Sequence, residues 1–544
     1  MLTKSRGCAL GLVLVLVGLV AGEARPAPQV TYNGIEPPTV WPPKNQDYAE
    51  HPQTPPYLAC PPKVILIDVG RQLLVDDFLI ENTDLKRTFH LPKYHPANPL
   101  LKPDKPWESI NGRPYAMPFS DAMLFDPQDR LFKAWYYSAA SRYTCYATSR
   151  DGLHWEKPLL DVVPGTNVVL TDNRDSNTIW LDPQPARPEE RFKMAAYRGN
   201  FVLYRSPDGI HWTKVSEGAK TGDRSTFFYN PFRERWVYSI RSGSKFGRSR
   251  QYWETTDFFS FSPAAFDKGE VVPWTTADSA DWLRDDLKAR PQLYNLDCTA
   301  YESLLVGLFS IWRGDYRGAA TERAKELLAQ GRPKQNSLCV GFSRDGFHWD
   351  RPDRRAFIPT SEKRGDWNWG NVQSTSPGCL VVGDELWFYV SGRYGKGLPG
   401  TTHLDSAGCA GLATLRRDGF ASMDAAEKPG TLTTRPVRFR GRHLFVNLDA
   451  PQGELRVEVL DADQKPVAGF DAKHCRPVRG NATRQAVAWG EGKDLSSLAG
   501  KAVRFRFHLT NGKLYAFWVS PDASGASHGY LAGGPGFRAP VDKD

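Results

Sequence analysis

The chain of 544 residues has room for two or three domains, and its formal charge of +9 is spread along the length without a dense Lys/Arg run. That distribution argues against nucleic-acid binding, where basic residues gather on one face. Frequent aromatics, glycines and prolines, with helical spacing confined to stretches such as Thr321 to Leu328, predict an all-β protein.

At the amino terminus, Lys4 and Arg6 precede the apolar run Leu10 to Val20, and Ala21-Gly22-Glu23-Ala24 follow it. This reads as a signal peptide over 1–24 and predicts a secreted or periplasmic protein. The run is too short and too glycine-interrupted for a membrane span, and no second run of spanning length follows. Residues 25–62 form a proline-rich arm without periodicity. Beyond Cys8, seven scattered cysteines remain, with no Cys-x-x-Cys metal spacing and no disulfide framework. A sequon at Asn481-Ala482-Thr483 carries little weight.

The middle of the chain repeats itself. Ser149-Arg150-Asp151-Gly152-Leu153-His154-Trp155 returns as Ser206 to Trp212 and as Ser343 to Trp349, with weaker copies at Asp257 and Asp418. Asp-Gly supplies the positive φ of a tight turn, and the preceding Ser or Asp bonds the turn backbone. This corner looks like the Asp-box of sialidases, which sits on the rim and does no chemistry, so His154, His211 and His348 are read as turn residues. Strand-like aromatic runs, such as Leu131 to Tyr137 and Arg235 to Ile240, lie upstream. Five such units predict a five-bladed β-propeller over 63–428. The longest connection, between the third and fourth turns, carries an insertion from Pro273 to Pro291. Alternating strands beyond Gly430 predict a C-terminal β-sandwich over 429–544, supportive in role.

In a propeller the first strand of every blade lines one shared axis. Asp121, Asp175 and Asp223 each stand 30 to 34 residues before their turns and open their units. The fourth unit offers Tyr294, Asn295 and Asp297, then Glu302 before an apolar run, and Glu302 is preferred over Asp297 as the inward acid. The fifth offers Trp369, Asn371 and Gln373 for hydroxyls and sugar faces, and Arg174 and Arg224 partner the acids. Converging carboxylates in an aromatic-lined pocket are the layout of glycoside hydrolysis, where one stays protonated and another acts as base or nucleophile. Acids at strand starts also bond turn backbones, so Asp175 or Asp223 can be a structural twin.

Five blades, aspartates on the first strands, a later glutamate and a C-terminal sandwich resemble the five-bladed glycoside hydrolases of families 32, 43 and 68. The resemblance implies Asp121 as nucleophile or base, one of Asp175 and Asp223 as transition-state stabiliser, and Glu302 as acid. The expected activity is hydrolysis of a plant or algal glycan. The residues suggest no redox cofactor or phosphate loop, and the axial carboxylates leave room for a structural calcium. Two rivals are a non-catalytic glycan-binding propeller and a protein-binding scaffold. The discriminator between enzyme and lectin is whether Asp121 and Glu302 face each other across the pocket, and a large separation, or Glu302 buried in a salt bridge away from it, counts against an enzyme.

Overall fold

The computed structural model describes residues 31–44, 47–110, 112–138, 143–287, 289–314, 319–394, 407–490 and 492–543. The signal peptide expected over 1–24 lies outside the described residues. Among these, α-helix is limited to Pro56–Ala59, Pro263–Asp267 and Ala319–Ala329, and the remaining regular structure is almost all strand.

Five antiparallel sheets follow one another as the blades of a propeller. Blade 1 holds Met123–Asp126, Leu131–Ser138, Tyr143–Ser149 and Val168–Leu170, and blade 2 holds Asn177–Leu181, Phe192–Tyr197, Asn200–Ser206 and Thr213–Lys220. Blade 3 holds Thr226–Asn230, Arg235–Ser244, Gly247–Thr255 and Val272–Thr276. Blade 4 is built on Gln292–Tyr301, Leu304–Arg313 and Gln335–Ser343, and blade 5 on Val372–Ser374, Leu380–Val382, Glu385–Tyr394 and Ala407–Arg416. The strand Lys93–Tyr94, which precedes blade 1, pairs with Ala413 and Thr414 at the outer edge of blade 5.

Period-two alternation explains why such sheets stack into a ring. In Arg235–Ser244, Trp236 and Tyr238 pack with Phe201 and Leu203 of blade 2, whereas Val237 packs with Leu296 and Phe309 of blade 4. Equivalent apolar clusters join blades 1 and 2, 4 and 5, and 5 and 1. Both faces of every blade are therefore buried against a neighbour, which is why these strands carry so many aromatics.

The repeated corner is structural, as its chemistry predicts. Asp151 Oδ1 accepts from the amides of Leu153 and His154 at 2.8 and 2.9 Å, and Ser149 Oγ accepts from Gly152 N at 2.8 Å. Asp208 and Asp345 repeat the pattern, and each paired histidine turns Nδ1 onto its own aspartate. Gly209 shows why glycine is required: φ is +80°, its carbonyl accepts from Trp135 Nε1 at 2.6 Å, and a Cβ there would lie 2.4 Å from the Trp135 ring.

The C-terminal strands form one nine-stranded sheet, bent about the 18-residue strand His443–Leu460. The first part of that strand pairs with Gly512–Ser520 and its last part with Arg504–Thr510. Leu444, Val446, Val457, Phe505 and Phe517 share the enclosed core. Gln72–Leu73, Ile80–Thr83 and Lys86–Phe89 also belong to this sheet, so the expected boundaries at 63 and 428 do not separate the two units. The cause is non-local pairing: Thr83 Oγ1 donates to the carbonyl of Thr431, 348 residues later. All seven cysteines among the described residues are free, six of them buried.

Candidate active site

The inner strands meet at one end of the axis through polar side chains. Ser120 of blade 1 and Ser374 of blade 5 both donate to Asp297 of blade 4, and Asn295 Nδ2 donates to Ser120 Oγ and to Asp297 Oδ2. Arg224 N donates to Ser176 Oγ and Thr226 Oγ1 to the Leu296 carbonyl, which ties blades 2, 3 and 4 together. The other end is covered by the C-terminal segment, where Tyr530 exchanges backbone hydrogen bonds with Glu302.

Four aspartates stand at the polar end in different states. Asp121 is fully buried and bidentate to Arg174, at 2.8 and 3.2 Å, and also accepts from Phe119 N. Burial raises its pKa, and Arg174 opposes the rise. Burial likewise raises Asp297, against Arg224 and the Ser374 hydroxyl. Asp223 forms a 2.7 Å ion pair with Arg241 and keeps about a third of its side chain in solvent. Asp175 is half-buried, and its carboxyl has no hydrogen-bond or ion-pair partner among the described residues. Burial first, then the neighbouring Asp223, push its pKa above the usual carboxylate range.

Arg224 differs from Arg174. It is fully buried, its guanidinium lies 3.9 Å from the centre of the Phe119 ring, and among the described residues none of its three side-chain nitrogens has a hydrogen-bond partner. Its φ is +62°, and Ser120, beside Asp121, stands at +63°.

Two expected site residues, Glu302 and Trp369, do not belong here. Glu302 forms the turn after Gln292–Tyr301, at the far end of the strand from Asn295 and roughly 20 Å along it. Its carboxylate pairs with Arg417 at 3.0 Å and Arg71 at 3.4 Å, and accepts from Ser527 Oγ at 2.6 Å. The pairing of Asp121 with Glu302 across the pocket is therefore absent. Trp369 is fully buried beside Leu328 and offers no face for stacking. Asn371 and Gln373 are bonded to each other, and Gln373 is buried with Oε1 without a partner among the described residues. Tyr294 and Asn295 do reach the axial end. No group of three or more His, Cys, Asp or Glu among the described residues is arranged to hold a metal, and the axial carboxylates make no such cluster.

Sequence reasoning missed Ser120, Ser374, Arg241, Arg248 and Arg250. The signal was present in Gly247-Arg248-Ser249-Arg250, where basic residues alternate along a strand, apart from the acids that stand upstream of the turns.

No protein-family model matches the chain, and no curated protein matches it. Among solved structures, the chain is similar to a fructofuranosidase from Schwanniomyces occidentalis complexed with fructose, at 10% identity and TM-score 0.35, over 78% of this chain and 98% of that one. It is similar to a family 43 arabinoxylan arabinofuranohydrolase from Bacillus subtilis, at 9% identity and TM-score 0.33, over 78% and 97%. A third is from the family of mannoside phosphorylases that contains glycoside hydrolases targeting β-1,2 mannosidic linkages in Candida mannan, at 14% identity and TM-score 0.39, over 65% and 99%. These structural neighbours are glycoside hydrolase-type propellers.

Proposed function

We propose that the protein is a glycoside hydrolase whose chemistry is carried by Asp175 and Asp223 at the polar end of the axis. The observation that carries this reading is the carboxyl of Asp175, sheltered, without a partner among the described residues, and with its pKa raised by burial and by Asp223. A protonated carboxyl donates to the leaving glycosidic oxygen, and a second carboxylate serves the anomeric centre or the attacking water. Asp223, held by Arg241, supplies that second group. Asp121, locked to Arg174, positions the arginine that precedes Asp175. The amino-terminal stretch, read as a signal peptide, makes the substrate an extracellular glycan.

The test is sugar release from a glycan panel by wild type, Asp175→Asn and Asp223→Asn. Loss of release by about a hundredfold or more in both variants, with glycan binding retained, supports the assignment. Release unchanged in Asp175→Asn moves the acid elsewhere, with Asp297 next. A second reading, a glycan-binding propeller without turnover, is favoured by one observation: Asp121 and Glu302, two of the four expected acids, are committed to buried arginines. Binding without release by wild type, over the whole panel, decides for it.

A further inference from the structure

Around Tyr294 the arginines outnumber what the neighbouring acids neutralise. Arg174 is paired with Asp121 and Arg241 with Asp223, which leaves Arg224, Arg248 and Arg250 without an ion-pair partner among the described residues. All three converge on one tyrosine. The Arg248 guanidinium lies 4.8 Å from the Tyr294 ring centre and 4.7 Å from that of Trp312, and Arg224 lies 5.7 Å from Tyr294. Arg250 Nη2 donates to the Tyr294 carbonyl and Nη1 to the Arg224 carbonyl at 2.6 Å.

The placement follows from the strands. Arg248 and Arg250 stand two apart on Gly247–Thr255 and so project to one face. Arg224 enters from the residue pair that opens blade 3. Arg248 and Tyr294 are half-buried and reach solvent, while Arg224 and Arg250 are fully buried behind them. Burial and the proximity of Arg224 push the pKa of Arg250 down to about 9, a cost that a nearby negative charge relieves. The acids facing this group are Asp297, Asp175 and Asp223: Arg224 senses the first two through space without a hydrogen bond, and Arg250 senses Asp223 and Asp297. A buried guanidinium with three unused nitrogens is expensive unless something fills its donors.

We propose that Arg224, Arg248 and Arg250 form a seat for an oxyanion carried by the substrate sugar, a carboxylate or a sulfate ester, at the mouth of the axial site. This deepens the hydrolase reading and rests on it for the word substrate, but its test does not depend on turnover. Guanidinium groups match planar and tetrahedral oxyanions with paired hydrogen bonds, and a half-buried aromatic beside them accepts the sugar face.

The experiment measures equilibrium binding to the full chain carrying Asp175→Asn, with and without Arg248→Gln. Probes are uronate oligosaccharides with their carboxyl-reduced counterparts, sulfated oligosaccharides with their desulfated counterparts, and inorganic phosphate alone. The expected result is binding about tenfold to a hundredfold tighter for one charged series than for its neutral counterpart. That advantage shrinks with salt and disappears in Arg248→Gln, whose melting temperature stays that of its parent. Equal binding of charged and neutral members overturns the proposal, as does a charge preference that survives Arg248→Gln. Phosphate alone binding through Arg248, with no oligosaccharide preference, overturns the sugar-borne anion in favour of a free one. Failure of sugar release by wild type leaves this result standing, and loss of charge preference leaves hydrolysis standing.

Discussion

Two regions of the molecule bury several charges, and they treat them in opposite ways. At the junction of propeller and nine-stranded sheet, Arg71 and Arg417 face Glu302, Asp418 and Asp542, and every member has an ion-pair partner at 3.4 Å or less. At the polar end of the axis, Arg174 with Asp121 repeats that pairing, but among the described residues neither the Arg224 guanidinium nor the Asp175 carboxyl has an ion-pair or hydrogen-bond partner. The junction uses charge to fix blade 4, the residues before blade 1 and the C-terminal segment in one arrangement. The axial end leaves matched valences open, and open valences in a buried place are what a ligand completes.

The comparison is broken most forcefully at the junction. Glu302→Ala leaves two buried arginines short of a partner and is expected to cost about 3–5 kcal/mol, read as a fall in the denaturation midpoint. Specific activity per folded molecule is expected to stay near wild type; loss of activity without loss of stability would return Glu302 to the chemistry. A smaller effect is expected at a corner that is neither charged nor axial. Gly209→Ala pushes a Cβ against Trp135 at positive φ and is expected to cost about 1–3 kcal/mol, again with chemistry intact.

At the axial end the contrast is sharpened by pH. Asp175 has a folded pKa above its unfolded one, so the folded state favours the protonated form. Its contribution to stability is present below the unfolded carboxylate pKa and is lost as pH rises through the folded pKa. Asp175→Asn should therefore lose activity yet unfold at a higher midpoint than wild type at neutral pH, by a small margin, with no gain in acid. Asp223 is one of the groups raising Asp175, so in any residual activity of Asp223→Asn the alkaline limb should move to lower pH. A limb that moves up, or an Asp175→Asn protein less stable at neutral pH, removes Asp175 as a protonated acid.

Much of the scaffold was legible because its signals are local. Asp151, Asp208 and Asp345 with their glycines mark turns by backbone requirement alone, and Trp236, Val237 and Tyr238 alternate because both blade faces are buried. Asp121, Asp175 and Asp223 stand at equivalent points of their units, so the repeat carried them to one end of the axis together. The strands Ile80–Thr83 and Lys86–Phe89 were misassigned to the propeller because four residues of strand do not say which distant edge they will join.

By itself the sequence determined the number of units, their turns and three of the axial aspartates, since each depends on spacing within some thirty residues. Tertiary structure alone decided between Asp297 and Glu302, which share the strand Gln292–Tyr301 and its turn. Asp297 meets Ser120 and Ser374 from blades 1 and 5, and Glu302 meets Arg71 and Arg417 from outside its own blade. A carboxylate becomes a structural ion or a working group according to the partner that reaches it, and here every deciding partner arrives from a distant part of the chain.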